Sequence, residues 1–251
     1  MNEGLPLGVA AGRLADVWVY LSASPLLGLT ATLLVYHGSF VAYRRTGFHP
    51  LANPVALSVL VLGTLLWATN TPYAIYFEGA QFVHFLLGPA TVALAVPLFD
   101  QLARLKRLWL PMLGALVVGT LAATVTAIGV GWALGASKAT IASMAPKSVT
   151  APVAMGISEQ IGGLPTLTAV LVVCTGILGA ATARTLFDLL RIQDPTVRGF
   201  ALGTAAHGIG TARAFQVSEE MGAFAGLAMG LCALFSAVAL PLVAGWLLRW
   251  V

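Results

Sequence analysis

A lysine lies between two prolines in an otherwise apolar stretch, MAPKSVTAPVAMGISEQ, which covers Met144–Gln160. At the centre of a membrane-spanning helix, Lys147 would cost about 2.5–3.5 kcal/mol on insertion scales, so it needs an aqueous cavity or a charged partner. The flanking prolines disfavour an unbroken helix. A break would place the ammonium group beside the hydroxyls of Ser148 and Thr150 and the positive end of the next half-helix. Together these groups suit a small carboxylate.

A shallow segment is the alternative, in which Lys147 extends its side chain to the lipid headgroups. Glu159 lies twelve positions further along the chain, too far along a helix to pair with Lys147 directly. Glu159 is therefore read either as an interfacial charge or as a carboxylate that couples transport to an ion.

A second candidate site lies in GFALGTAAHGIGTARAF, Gly199–Phe215. Gly199, Gly203 and His207 are spaced by four and share one helix face, where a neighbouring backbone can approach closely. The glycines at 208 and 210 predict a helix break directly after His207.

Polar side chains near that break could bind a carboxylate, and an imidazole there could relay a proton. The residues concerned are His207, Thr211 and Arg213. The alternatives are a histidine satisfied within the core and an arginine at the membrane interface. Asn70 and Thr71, before Pro72, occupy an analogous break in the first half and are further candidates.

The composition is that of a membrane protein. Of the 251 residues, 59% are hydrophobic and 9% are charged, whereas soluble domains carry roughly a quarter charged residues. Charge-free stretches longer than the ~20 residues of a membrane-spanning helix occur at Val17–Tyr43, Leu108–Ser137, Gln160–Ala183 and Met221–Leu248. They do not alternate as barrel strands do. The sequence therefore predicts an all-α integral membrane protein, with no cleavable signal peptide.

About eight membrane segments are expected, and two of them fit an ordinary span poorly, namely Lys138–Gln160 and the helix that begins after Asp194-Pro195. Further predicted features are a helix opened by Asn53-Pro54, an irregular connector at TNTPYAIYFEGA, a helix over Gln81–Arg104, a loop at RLKR and a helix from Trp109 to Leu134.

Basic loops orient a membrane protein with their positive charge in the cytoplasm. Placing Arg44-Arg45 and RLKR there puts both termini outside, together with the loop that runs from Asp188 to Arg198. If Lys138–Gln160 re-enters the membrane instead of crossing it, the orientation of everything downstream is inverted.

Short recurrences suggest an internal repeat. PVA occurs at Pro54 and Pro152, and LFD occurs at Leu98 and Leu186. An inverted repeat with broken or re-entrant helices is an architecture of secondary transporters; chance similarity between apolar helices is the alternative. The predicted organisation is a single membrane domain with an N-terminal helix and loop (1–52), two repeat-like halves (53–137 and 138–213) and a C-terminal helix (214–251).

Signatures of other functions are missing from the sequence. It has no HExxH, P-loop, G-x-S-x-G or metal-spaced Cys/His motif, so neither catalysis nor a metal or cofactor is predicted. The net charge is +4, but no basic run is interleaved with aromatic residues, so no nucleic acid is expected. Gly222, Gly226 and Gly230, spaced by four, predict a helix-packing face.

Five motifs resemble the LrgB/CidB family of membrane proteins: FLLGPATVALAVPLFDQ, APKSVTAPVAMGIS, GGLPTLTAVLVVCTGILGA, DPTVRGFALGTAAHGIGTARAF and GAFAGLAMGLCALFSA. The resemblance runs from about Asn53 to Pro241 and is strongest from Pro146 to Gly230. It implies two roles, which can coexist in one complex. Members are described as antiholin-like regulators of murein hydrolase export and cell lysis, and as transporters of pyruvate, glycolate or glycerate.

The resemblance also implies a separate small membrane partner of the LrgA/CidA type and a location in the bacterial cytoplasmic membrane, and assembly as a homo-oligomer or hetero-oligomer is expected. The family supplies no agreed binding residues. The favoured hypothesis is a monocarboxylate transporter, and its site rests on the residues discussed above. The anion sits where PKSVT and HGIGTAR converge, and His207 couples a proton. The alternative is a regulator of lysis without transport of its own.

Overall fold

The computed structural model of the protein describes residues 25–49, 52–86, 89, 92–93 and 95–250. These residues form helices and connecting turns, with no β-strand among them. They divide into two compact units, Met1–Thr91 and Val92–Val251. In chain order the helices are α1 (Pro25–Arg45), α2 (Pro54–Ala68), α3 (Tyr73–Phe85), α4 (Ala95–Asp100), α5 (Leu102–Ala133), α6 (Lys138–Met144), α7 (Ala151–Gln160), α8 (Pro165–Leu189), α9 (Pro195–Phe215) and α10 (Glu219–Leu247).

In the first unit, α1 packs against both α2 and α3. Asn53 caps α2 as predicted, since its side-chain oxygen accepts hydrogen bonds from the backbone N–H groups of Val55 and Ala56. The Thr32 and Tyr76 hydroxyls lie 2.8 Å apart and join α1 to α3. The predicted first helix began at Val17, and residues 17–24 lie outside the described part of the chain.

Two sequence predictions near the middle of the chain are wrong. Residues 73–85, predicted as part of an irregular connector and the start of a longer helix, form α3, which ends at Phe85. The RLKR segment, predicted as a loop, lies within the first turns of α5. The charges of RLKR suggest a loop, but Leu, Arg and Lys are all good helix formers.

Four of the described helices are long and apolar enough to cross a membrane: Leu26–Arg45, Leu102–Ala133, Pro165–Leu189 and Glu219–Leu247. The predicted count of eight segments is not confirmed. In the second unit, α5 alone has 32 residues and is about 48 Å long, which exceeds the hydrocarbon core of about 30 Å.

The three long helices of the second unit share two ends. At the first, named here the Arg104 end, Arg104 of α5 forms ion pairs with Asp194 before α9 and with Glu220 of α10. At the second, named here the Ile141 end, the last turns of α5 and α10 meet the start of α6 in a core cluster that includes Ile128, Ile141 and Ala244. Thus α5 and α10 run in the same direction, and α8 runs in the opposite direction.

Helices α6 and α7 form a hairpin, here called the first hairpin, that starts and finishes at the Ile141 end. Its tip is residues 145–150. The Thr124 hydroxyl donates to the Ala145 carbonyl at 3.4 Å, so the tip lies part-way along α5. The Thr168 hydroxyl contacts both the Ser158 hydroxyl and the Ser143 carbonyl, at 2.7 and 3.1 Å, so the end of α7 returns beside the end of α6.

Helix α9 is also a hairpin, here called the second hairpin. Ala206 and His207 have non-helical backbone angles and separate two arms, 195–205 and 208–215. A β-carbon placed on Gly210 would lie 2.8 Å from the carbonyl oxygen of Leu202. A straight helix would put residues eight apart about 12 Å from one another along its axis. The second arm therefore folds back along the first and returns to the Arg104 end.

The second hairpin packs closely on α10. A β-carbon on Gly199 would lie 2.2 Å from the Met221 carbonyl oxygen, and one on Gly203 would lie 2.1 Å from that of Ala225. The predicted close approach of a neighbour at these two glycines is confirmed, because only glycine leaves room for the α10 backbone.

The first of the two predicted placements of the segment from Asp188 to Arg198, on the opposite side from RLKR, is wrong. The stated alternative, for a segment Lys138–Gln160 that does not cross, agrees with the structure. Arg104 pairs with Asp194, so both segments lie at the same end of the second unit. The reason is the first hairpin, which returns to the end from which it started and leaves α8 to run back to the Arg104 end.

Candidate functional site

The tip of the first hairpin carries Lys147. Its side chain is half-buried, and its ammonium group lies 3.5 Å from the hydroxyl of Ser148, which is itself 8% exposed. Among the residues that the structure describes, no carboxylate lies within 4.0 Å of this nitrogen. The tip therefore holds a positive charge without a counter-ion among the described residues.

The same tip presents the start of α7. Thr150 is the N-cap residue, and its side chain makes no capping hydrogen bond. Pro152 lacks an N–H group, so Ala151 and Val153 supply the free backbone donors of this first turn. Uncapped donors and the helix dipole both favour an anion at this position.

The tip of the second hairpin is the backbone of Ala206 and His207. His207 has φ +41° and ψ −132°, a region in which a non-glycine residue costs of order 1–3 kcal/mol. The predicted break at Gly208 and Gly210 is therefore displaced to Ala206–His207. A turn made at a strained histidine leaves no glycine signal in the sequence.

The imidazole of His207 is buried and anchored to α8. Its Nε2 lies 2.9 Å from the Val172 carbonyl oxygen, and because a carbonyl only accepts, Nε2 carries the hydrogen. A β-carbon on Gly176 would lie 2.7 Å from the imidazole Cε1, so the absence of a side chain at Gly176 makes room for the ring. The hydrogen bond and the fitted space hold the strained turn in place.

Both tips pack into one core. Val149 of the first tip and Val172, whose carbonyl binds His207, belong to the same hydrophobic cluster as Cys232 of α10. The Cys232 sulfur lies 3.9 Å from the Thr204 carbonyl oxygen, one turn before the second tip. The structure thus brings the two tips to one core, without a hydrogen bond from PKSVT to His207 or Thr211 among the described contacts.

The other predicted binding residues lie elsewhere or are already engaged. The Thr211 hydroxyl donates to the His207 carbonyl at 2.9 Å. Arg213 lines a cavity with Arg184 and Arg198. Glu159 is exposed in the last turn of α7, at the far end of that helix from Lys147. Asn70 and Thr71 belong to the first unit, where the Thr71 hydroxyl pairs with that of Thr69 at 2.8 Å; their role in binding stays a prediction.

A family model, the LrgB-like family, matches residues 32–246. The chain belongs to the LrgB-like family. It is 36% identical over 217 residues to the uncharacterized protein YwbG of Bacillus subtilis (strain 168), covering 86% of this chain and 96% of YwbG. It is 30% identical over 219 residues to the antiholin-like protein LrgB of Bacillus mycoides (strain KBAB4), covering 87% of this chain and 95% of that protein. No solved structure matches the chain.

The LrgB-like region contains one polar cluster that the sequence did not reveal. Ser143, Ser158 and Thr168 are each 0% exposed. The Ser143 hydroxyl accepts from the Leu164 N–H at 2.8 Å, and the Thr168 hydroxyl binds Ser158. These residues hold the base of the first hairpin together, and three isolated hydroxyls in apolar segments gave no spacing that could have identified them.

Proposed function

We propose that this LrgB-like protein transports small monocarboxylates of the pyruvate, glycolate or glycerate class, with the substrate bound at the tip of the first hairpin. Lys147 neutralises the carboxylate, and Ser148, Thr150 and the free N–H groups of Ala151 and Val153 bind its oxygens. The observation that carries the proposal is a half-buried ammonium group beside an uncapped helix start, with no carboxylate partner in the described part of the chain.

An inverted repeat is part of the proposal. Each copy consists of one long helix followed by a hairpin that re-enters from the end at which the helix finishes, namely α5 with the first hairpin and α8 with the second. The opposite directions of α5 and α8 and the two tips in one core support it. The copies then begin at Leu102 and Pro165, rather than at residues 53 and 138. Alternating access around a central site is the mode of action of such repeats.

The Arg104 end is proposed as the cytoplasmic face of a bacterial inner membrane. In the second unit this end carries Arg104, Lys106, Arg107, Arg184, Arg191, Arg198 and Arg213, whereas the Ile141 end carries Lys138 and Arg249. Excess positive charge marks the cytoplasmic side.

Uptake by proteoliposomes tests the proposal. The full chain is reconstituted, and uptake of radiolabelled pyruvate, glycolate and glycerate is compared with that of protein-free liposomes. We expect saturable uptake of the labelled acid. An unlabelled monocarboxylate should inhibit this uptake by competition, and an amino acid of similar size should not. Uptake indistinguishable from that of protein-free liposomes for all three acids contradicts the proposal.

Proton coupling by His207 is the finer part of the proposal. With Nε2 bound to the Val172 carbonyl, Nδ1 is the ring atom that can accept a proton. An inward proton gradient is expected to raise the initial uptake rate of the wild-type protein. An equal rate with and without the gradient excludes coupling while leaving carboxylate transport intact.

Regulation of lysis is the second candidate function, favoured by the name of the antiholin-like relative. In this case the chain binds a small LrgA/CidA-type membrane protein, and binding does not depend on carboxylates. The two proteins are co-purified from membranes with and without a 10-fold excess of glycolate over protein, which is roughly saturating for a micromolar site. The regulator hypothesis predicts the same amount of complex in both cases. Complex formation with no uptake by either protein supports the regulator.

A further inference from the structure

A cavity of about 300 Å³ lies at the Arg104 end of the second unit, separate from the hairpin tips. Its walls come from α8, from both arms of the second hairpin, from the turn after it and from the first turn of α10. The residues that line it are Ala183, Arg184, Phe187, Arg198, Leu202, Arg213, Val217 and Met221.

Three arginines line this space, and the position of one of them, Arg198, is fixed by its contacts. Arg198 donates from Nε to the Ile192 carbonyl oxygen at 2.6 Å and from Nη2 to the Asp188 carboxylate at 2.5 Å. It also stacks over the ring of Phe187, 5.6 Å from its centroid. Only 16% of the Arg198 side chain is exposed. Its contacts therefore fix Arg198 as part of the cavity wall.

The cavity has more positive than negative charge. Asp188 pairs with Arg198 and, at 3.8 Å, with Arg184, and Arg213 donates to the side chain of Gln216. The other acidic groups whose ion pairs the structure describes at this end, Asp194 and Glu220, pair with Arg104. Arg184 and Arg198 therefore share one carboxylate, and Arg213 adds a third arginine to the lining.

The remaining walls are apolar, and apolar side chains border the cavity on the outside. Phe187, Leu202 and Met221 form the inner wall, while Val217 is 56% exposed at the mouth, where the Arg184 side chain is 82% exposed. A ligand that matches this surface has an anionic group that guanidinium pairs can bind in a bidentate way and an apolar portion beside it.

We propose that the three-arginine cavity binds the phosphate of an anionic phospholipid, with the acyl chains lying along the exposed apolar residues at its mouth. Basic pockets between membrane helices bind such headgroups. Because both arms of the second hairpin line the cavity, a bound lipid ties the base of that hairpin to α8 and α10. The ligand is a phosphate in every case, and its source is either the lipid or free phosphate.

The test measures thermal unfolding of the delipidated full chain in a neutral detergent. Phosphatidylglycerol, phosphatidylcholine and inorganic phosphate are titrated separately. Phosphatidylglycerol is expected to raise the apparent Tm by about 5 °C near saturation, and the other two by less than about 1 °C. Arg184→Gln is expected to weaken the phosphatidylglycerol response about tenfold in apparent Kd.

Arg107→Gln is the matched control, since it removes one positive charge from an exposed position near the same end and outside the cavity. It should titrate with phosphatidylglycerol like the wild type. Equal responses to the two lipids, or equal weakening by both substitutions, overturn the proposal. A full response to inorganic phosphate alone shows that the cavity takes a soluble phosphate, which overturns the lipid as its ligand. Arg184 is exposed, so its substitution leaves the fold intact and every outcome interpretable.

Discussion

The two hairpins reverse the chain in different ways. The first turns through the six residues 145–150 between two separate helices, and its tip carries a charged side chain. The second turns through Ala206 and His207 alone. One tip is an open loop with an uncapped helix start, and the other is a tight, strained turn.

Their polar groups differ in the same way. The imidazole of the second tip has a partner, the Val172 carbonyl oxygen at 2.9 Å. The ammonium group of the first tip has the Ser148 hydroxyl at 3.5 Å and no described carboxylate. Buried polar groups that stabilise a fold are satisfied within it. The comparison supports the proposed ligand binding at the first tip, whereas the second tip has the features of a group that holds the fold.

Replacing the lysine of the first tip should have the largest effect. Lys147→Met is expected to reduce carboxylate uptake by about 10–100-fold, since a hydrogen bond to a charged group contributes about 1.5–3 kcal/mol. The apparent Tm should stay the same or rise, because the substitution removes a half-buried charge that no described carboxylate neutralises. Initial uptake rates in proteoliposomes and thermal unfolding in detergent measure the two quantities.

Lys138→Met is the control for this experiment, since it removes the same charge from an exposed position in the first turn of α6. It should transport like the wild type. If Lys147→Met lowered the Tm enough to explain its loss of uptake by unfolding, Lys147 would stabilise the fold. The contrast between the two tips would then be wrong.

The second tip should be sensitive to the space around its imidazole. Gly176→Ala would place a methyl group 2.7 Å from the His207 Cε1 atom and 2.9 Å from Nε2. We expect destabilisation by about 1–3 kcal/mol, the usual cost of overpacking, which lowers the Tm of a protein of this size by several degrees. Thermal unfolding of the variant in detergent measures it.

Gly114→Ala provides the matched control, since it is the same substitution within a helix and nothing lies within 4 Å of its β-carbon. Alanine there should stabilise α5 by up to about 1 kcal/mol. If Gly176→Ala were also stabilising, the imidazole could not be firmly held, and the second tip would be as adaptable as the first.

Much of this comparison could be predicted from the sequence, and the reason is local. A lysine beside two prolines in an apolar segment is incompatible with a plain spanning helix, so a break at Lys147 followed from the residue types. The Asn53-Pro54 cap and the close approach at Gly199 and Gly203 followed in the same way from single residues and their spacing.

The chain reversal in α9 could not be predicted, because it depends on tertiary packing. Its residues continue to form helix on both sides of His207, and the glycines that follow indicated the wrong position for the break. The turn is fixed by Val172 and Gly176, which lie in another helix. The ends at which the charged segments lie depended in turn on both reversals, so the ion pairs of Arg104 could not be derived either.

The hairpins also differ at their bases, the ends opposite the tips. Buried hydroxyl groups hold the base of the first hairpin together. Thr168→Val keeps the shape of a fully buried side chain but removes its hydrogen bonds to Ser158 and Ser143. It should destabilise the protein by about 1–2 kcal/mol. Thr182→Val in the same helix, where the hydroxyl is exposed and bonds only to the Leu178 carbonyl among the described contacts, should change the Tm little. Equal Tm values for the two variants would contradict a structural role for the cluster.

The second base is held by charge, so its contribution should depend on pH and be the smallest. Burial alone would raise the pKa of Asp194, but hydrogen bonds from the Thr196 backbone and side chain and the Arg104 charge together lower that pKa below its usual value. The stabilisation is then present above the unfolded-state pKa of about 4 and is lost as the pH falls through the lower folded-state pKa. With 40% and 47% of the two side chains exposed, it should amount to less than about 1 kcal/mol.

Asp194→Asn isolates this contribution, because asparagine also caps a helix through its side-chain oxygen and carries no charge. At neutral pH the variant should melt slightly below the wild type, and the difference should vanish in acid. Thr168→Val should keep its Tm difference across the same pH range, since hydroxyl groups do not titrate there. A Tm difference for Asp194→Asn that is independent of pH would mean that both bases rest on hydrogen bonds, and only the tips would then distinguish the two hairpins.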